Sequence, residues 1–300
     1  MKNPCFSRRD CLKVLLALPL MKISSSMAAP SNHRIVAINW LAAETLLSLG
    51  ITPLAVSDTA YFRRRINMPA LPAGVLDVGP FWEPNIEMLA ALKPSLILSD
   101  FVAPALLDNL RRVAPVQVVT VYPAASDVWQ SLAVFTNQLG QQLNVPDAAA
   151  QVVQRANAAI ERCRALLRAN RVQRVLVMVR SQDGKYATVY GRNSMVDAVL
   201  HQLGMTNAWT QPVSAMGTAN VGIEKLVSLP VDRLLFTELP TTLTQVSRLR
   251  QGQGLWQQLP IVAQGKTHEM SHFFPFGGLA TAVNLAQNIT DAILGAGDHD

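Results

Sequence analysis

The stretch 86-IEMLAALKPSLILSD-100 recurs in outline at 223-IEKLVSLPVDRLLFTE-238. Each copy opens on Ile-Glu, continues with apolar residues at helical spacing, breaks at a proline, and closes on an apolar run ending in an acid. The first part predicts a helix and the second a buried strand. One such unit in each half of the chain indicates two related β/α lobes. Glu87 and Glu224 hold the same place in the two copies, each two residues after a capping or turn residue, Asn85 or Gly222. Both therefore fall in a first helical turn, where the helix dipole favours a carboxylate by about 0.3–1 kcal/mol. Capping accounts for either acid alone. The matched pair points to one acid per lobe meeting a two-fold symmetric partner.

On either side of these copies, apolar runs and helical patterns alternate. Strands are expected at 34-RIVAIN-39, 53-PLAVS-57, 75-VLDVG-79, 95-SLILS-99 and 116-VQVVTVY-122. Helices are expected at 41-LAAETLLSLG-50 and near 104–113 and 126–143, with Tyr61 to Arg65 in a loop. This alternation indicates a parallel sheet covered on both faces. The run 147-DAAAQVVQRANAAIERCRALLRAN-170 contains neither glycine nor proline and keeps helical spacing throughout. At 1.5 Å per residue it makes a rod of about 35 Å. Beyond it come strands 174-RVLVMV-179 and 187-ATVYG-191, a helix at 194–203, the second copy, and a last helix after Gly277-Gly278. The expected architecture is an N-terminal lobe (29–145), a connecting helix (146–172) and a C-terminal lobe (173–300). A stiff helical connection limits hinge closure.

The composition excludes several classes. Half of the 300 residues are hydrophobic, enough for a large core, and the net charge is +6. Most of that charge lies in residues 1–28, where Lys2, Arg8, Arg9, Lys13 and Lys22 face Asp10 alone. Sparse aromatics, not interleaved with basic residues, argue against nucleic acid. The basic 7-SRRDCLK-13, the short apolar 14-VLLALPLM-21 and small Ala28-Ala29 form an export signal, too short to span a bilayer. Arg8-Arg9 with Leu12-Lys13 resembles the twin-arginine motif for exporting folded proteins. Cleavage after Ala28 and no cysteine at a lipidation spacing predict a soluble periplasmic product. Cys5 and Cys11 leave with the signal, so Cys163 has no partner for an internal disulfide.

The segment 268-HEMSH-272 satisfies the zinc-hydrolase pattern, which needs a helix to set its two histidines one turn apart. Its surroundings are strand-like and Phe273-Phe274-Pro275 follow at once, with no third ligand, so a strand or loop is the better account. No nucleophile elbow, phosphate loop, dinucleotide fingerprint or C-x-x-C is present. The chain is read as a non-enzyme. Aromatic and basic residues gather where strands end: Tyr61, Arg65, Phe81, Trp82, Phe101, Phe274 and Phe276. Ligands of open α/β sheets bind beyond those strand ends, and this mixture suits a bulky, partly anionic ligand.

Five stretches resemble a known family: 34-RIVAINWLAAETLLSLGITPLAVSDT-59, 83-EPNIEMLAALKPSLIL-98, 191-GRNSMVDAVLHQLGMTNAW-209, 223-IEKLVSL-229 and 254-GLWQQLP-260. They run in order across nearly the whole chain beyond the signal. They resemble periplasmic substrate-binding proteins that serve iron-siderophore, haem and cobalamin importers, most of all the ferric-hydroxamate branch. The resemblance implies two Rossmann-like β/α lobes joined by one long rigid helix, with a ligand cleft between them. It implies a ferric siderophore as ligand, no cofactor beyond that ligand's iron, and a monomer that delivers to an inner-membrane ABC permease with its ATPase. Glu87 and Glu224 would dock on the permease. The ligand wall would comprise Arg65, Phe81, Trp82, Phe101, Met216, Thr218, Phe274 and Phe276. The branch carries an arginine where this chain has Phe81, and Arg65 is expected to supply a cation from across the pocket. Two alternatives stay open. One is a haem or cobalamin binder, for which Tyr61 and His272 are the available axial ligands of haem; the other is a zinc hydrolase.

Overall fold

The computed structural model describes residues 33–100, 102–124, 127–181, 183–238 and 253–295. The expected export signal with Arg8 and Arg9, and the ligand-wall candidate Phe101, lie outside the described residues. No described helix is long and apolar enough to cross a membrane.

The first lobe is built on strand β1 (Ile35–Ala37), whose three residues are all buried, as a strand covered on both faces requires. Beside it lie β2 (Ala55–Val56), β3 (Leu76–Asp77), β4 (Leu96–Ser99) and β5 (Val116–Val118) in the order β3-β2-β1-β4-β5, all parallel. Between the strands run helices α1 (Trp40–Ser48), α2 (Thr59–Arg65), α3 (Ile86–Leu92) and α4 (Pro104–Val113), followed by α5 (Val121–Ala124) and α6 (Val128–Gln142). The chain winds outward from β1 to β3 and then returns to place β4 on the other side of β1. The β1/β4 junction is therefore a switch point, where a crevice opens at the carboxyl ends.

Two segments depart from the periodicity. Residues 59–65 form α2 instead of a loop, because Asp58 caps it by accepting from the Tyr61 amide at 3.4 Å and no glycine or proline interrupts it. The apolar run after Pro115 is a strand only to Val118. It then turns into α5, where Tyr122 is buried and donates its hydroxyl to the Gly277 carbonyl.

The connecting helix is α7 (Pro146–Leu167), which starts on a proline at its first turn, where the missing N–H costs nothing. Its buried face, Ala149, Val152, Ala156, Ile160, Cys163 and Leu167, keeps the three-and-four spacing of an amphipathic helix. Helical structure stops at Leu167, short of residue 172, because no apolar residue continues that face through Arg168–Arg171. Helices α6 and α7 approach closely at Gly140, where an added Cβ would stand 2.4 Å from the Ala149 Cβ. Neither atom can rotate away. Overpacking therefore outweighs alanine's better helix propensity, and Gly140→Ala should lose about 1–2 kcal/mol. A thermal unfolding midpoint equal to or above wild type would contradict this.

The second sheet contains β6 (Arg174–Arg180), β7 (Tyr186–Tyr190), β8 (Thr206–Asn207), β9 (Thr218–Gly222), β10 (Arg233–Glu238) and β11 (Thr267–Glu269). Its main order is β11-β10-β6-β7-β9, with β8 against β6. The sheet is mixed, contrary to the parallel expectation: β7 runs antiparallel to both β6 and β9. The short link between β6 and β7 cannot make the crossover that parallel pairing needs. Helix α8 (Met195–Gln202), capped by Ser194, two short helices (Gln253–Gln257 and Pro260–Ala263) and the last helix (Leu279–Gly295) belong to this lobe.

The repeated stretch is not repeated in full. Asn85 caps α3 through the Met88 amide at 2.9 Å. Gly222 offers no side chain, and Ile223–Leu226 closes as a single 3-10 turn. Glu87 and Glu224 still stand in first turns, and both are exposed.

The lobes share one hydrophobic core. A single cluster runs from β1 and α1 through α6, α7 and the last helix to β6 and α8. A polar tie reinforces it. Glu44 of α1 is buried, and its carboxylate accepts from the Gly278 amide at 2.9 Å, the Thr281 amide at 2.8 Å and the Thr281 hydroxyl at 2.6 Å. The first lobe thus supplies the N-terminal cap of the last helix. The glycines at 277 and 278 are explained by this closeness: a Cβ on Gly277 would stand 2.7 Å from Glu44 Oε2.

Candidate functional site: an aromatic cleft

A cavity of about 720 Å³ opens at the carboxyl ends of the first sheet. Chain reversal at the switch point places Asn39 and Trp40 after β1 and Asp100 after β4 on its wall. Ser57, Asp58 and Tyr61 come from the β2–α2 region, Pro80, Phe81 and Trp82 from the loop after β3, and Val121 and Tyr122 from α5. The second lobe closes the cavity with Ala215 and Met216 from one loop and Phe274 and Phe276 from another.

Trp40 is the hub of the wall. Its ring lies 5.5 Å from Tyr61, 5.6 Å from Phe62 and 5.1 Å from Phe274, all in tilted or edge-on arrangements favoured by aromatic pairs. Its indole N–H donates to the Ser57 carbonyl at 2.8 Å, and the Ser57 hydroxyl in turn donates to the Ile38 carbonyl at 2.6 Å. Phe276 continues the wall, 6.0 Å from Phe274 and 5.5 Å from Tyr122. Phe81 and Trp82 form an edge-to-face pair at 5.0 Å on the rim, and Trp82 is 63% exposed.

Polar groups are few. Asn39 Nδ2 donates to Asp100 Oδ1 at 2.6 Å, bridging the β1 and β4 ends. Burial raises the Asp100 carboxyl above the usual aspartate range, against the lowering effect of that hydrogen bond. Asp58 is occupied as the α2 cap. Among the described wall residues none is Lys, Arg or His.

Arg65 lies outside the wall. Its guanidinium sits 5.0 Å from the Tyr61 ring centre and donates to the Tyr61 hydroxyl at 2.6 Å. Burial pushes the Tyr190 phenol up, and the Arg65 cation opposes that rise from the other lobe. Thr218 is also outside the wall. It begins β9, with its hydroxyl 3.2 Å from that of Ser214, and so braces the turn that presents Ala215 and Met216. Phe81, Trp82, Met216, Phe274 and Phe276 stand on the wall. Trp40, Asn39, Asp100 and Tyr122 were missed by sequence reasoning, although the strand-end rule points directly to the first three.

The segment 268-HEMSH-272 starts in β11, which pairs with β10, and continues as irregular chain. Its histidines are therefore not stacked on a helical face. No group of three potential metal ligands occurs among the described residues. Tyr61 lines the cavity, whereas His272 does not.

Residues 35–271 match the family model of periplasmic binding proteins. The chain belongs to this family. It is 30% identical to the iron(3+)-hydroxamate-binding protein FhuD of Escherichia coli over 298 residues, covering 97% of this chain and 98% of that protein. The crystal structure of the siderophore-binding protein FhuD from Vibrio cholerae, with Fe3+-Desferal bound, superposes with a TM-score of 0.79 at 26% identity. That match covers 88% of this chain and 98% of the other. FhuD2 of Staphylococcus aureus, solved with ferrioxamine B, shares the fold at TM-score 0.69 and 16% identity, over 88% of this chain and 98% of the other. Members of the family are binding proteins, and the two-lobed architecture with its intervening cleft is theirs.

Proposed function

We propose that this protein captures a ferric siderophore of the hydroxamate type in the periplasm and delivers it to an inner-membrane ABC permease for iron uptake. The observation that carries this reading is the aromatic cavity of about 720 Å³ between the lobes. It belongs to a chain alike over nearly its full length to a hydroxamate-binding relative. An apolar wall with a few placed polar groups suits a bulky chelate that shields its own metal. Phe81, Trp82, Met216, Phe274 and Phe276 contact the ligand in this reading. Arg65 acts by holding Tyr61 in place, and Thr218 by bracing the Met216 turn. The protein acts as a monomer after export through the twin-arginine route, holds no cofactor, and uses Glu87 and Glu224 to dock on the permease.

Trp40 and Trp82 on the wall provide the assay. Ferric tris-hydroxamates should quench intrinsic fluorescence saturably. Ferric catecholates, ferric citrate, haem and cobalamin, titrated in parallel, should bind at least about tenfold more weakly, a difference of about 1.4 kcal/mol. Tighter binding of haem or cobalamin, or no response to any hydroxamate, would replace this reading.

A further inference from the structure

We infer that Asp100 is a specificity-determining residue, whose carboxylate at the switch point selects ferric hydroxamate chelates carrying a protonated amine over neutral or anionic chelates. This rests on the reading of the cleft as a ferric-siderophore site and narrows it to a charge class.

Three observations converge on Asp100. It lines the cavity, and only its Oδ1 is engaged, by Asn39 Nδ2 at 2.6 Å; among the described residues no donor reaches Oδ2. The wall contains two acids and, among its described residues, no basic side chain. The nearby arginines Arg64 and Arg65 are spent on the Tyr61 ring, at 5.3 and 5.0 Å, and Asp58 is spent on the α2 cap. Finally, burial and the Asn39 bond are the influences on the Asp100 carboxyl, with no cation among them. A half-satisfied, largely desolvated carboxylate in an apolar wall is costly to keep. A positional role could be filled by asparagine, which would still accept from Asn39 without the charge.

The chemistry of the ligand supplies the missing partner. Three hydroxamate groups each bring one negative charge to Fe(III), so the chelate core is neutral and its net charge is set by its appendages. A protonated amine reaching Asp100 Oδ2 would make a charge-assisted hydrogen bond, about twice as strong as a neutral one. Catecholate and carboxylate chelates carry net negative charge and would meet the carboxylate in a wall of low polarity, where repulsion is poorly screened.

The test compares two chelates that differ in one group: a linear ferric tris-hydroxamate ending in a primary amine, and the same chelate with that amine acetylated. Wild-type protein should bind the amine form about tenfold more tightly, equivalent to about 1.4 kcal/mol. Asp100→Asn should bind both forms alike, and Asp100→Glu should keep a preference. Equal wild-type affinities, or a preference that survives in Asp100→Asn, overturn the inference while leaving the siderophore reading intact. Should the Asn variant fail to fold, the wild-type comparison and Asp100→Glu still decide. Failure of wild type to bind either chelate overturns the siderophore reading and this inference with it.

Discussion

A protein with both Glu87→Ala and Glu224→Ala should bind its ferric hydroxamate as wild type does and support no iron uptake. The two acids are exposed and sit on separate lobes, and neither lines the cavity. Among the described residues neither takes part in an ion pair. Each contributes to its own lobe only as a first-turn carboxylate, worth about 0.3–1 kcal/mol. Removing both therefore leaves the fold stable and the cleft untouched. At a docked interface the same charges are desolvated against cations. Truncating one partner of such a pair costs about 2–5 kcal/mol, a loss of roughly 30-fold or more for each acid. Two such losses take a productive encounter below detection, and each single variant should be intermediate. The measurements are fluorescence titration for binding and radioactive iron accumulation for uptake. Full uptake by the double variant removes the docking role; weakened ligand binding places the acids in the wrong machinery.

The framework of this molecule was legible because it is local. Apolar runs at β1, β4, β6 and β10 mark buried strands, and the unbroken periodicity of α7 marks the connecting helix. What could not be read depends on distant partners. Nothing near Asp100 announces Asn39, 61 residues earlier. The valines around Tyr122 favour a strand locally, yet its hydroxyl is wanted at Gly277, 155 residues away, and the chain turns into a helix to bring it there. The antiparallel β7 was readable in principle, since its link from β6 is too short for a crossover. The second Ile-Glu copy matches the first in pattern, but a glycine where the first has Asn85 removes the cap and leaves one turn. Aromatics at the cleft fared better than Arg65 and Thr218: bulk at a strand end has few places to go, whereas a long cation can turn to stack on a neighbouring ring.

Loss of Glu44 should produce the largest fall in stability of any single side chain outside the apolar core. Its carboxylate satisfies two backbone amides and one hydroxyl at the start of the last helix, all buried. It also brings negative charge to that helix's N-terminus, where the dipole favours it. Glu44→Ala leaves those donors without partners, each costing about 1–3 kcal/mol, offset by the relief of removing a buried charge. A net loss of about 3 kcal/mol follows, which at this chain length lowers the unfolding midpoint by on the order of 6–12 °C. Glu44→Gln keeps the shape but sets an N–H2 group against donors, so it should fall between wild type and alanine. The effect has a pH signature. Burial, the dominant influence, raises the Glu44 carboxyl above the usual carboxylate range, in opposition to the hydrogen bonds. An acid with a raised folded-state value stabilises most when protonated in both states, below its unfolded value. That contribution declines as pH rises towards the folded value and is level above it. The gap in stability between wild type and Glu44→Gln should therefore be widest at acid pH and narrow on going up through that window. A gap that widens with rising pH would mean that the hydrogen bonds from the last helix outweigh burial, and that the ionised carboxylate is the form this junction was built to hold.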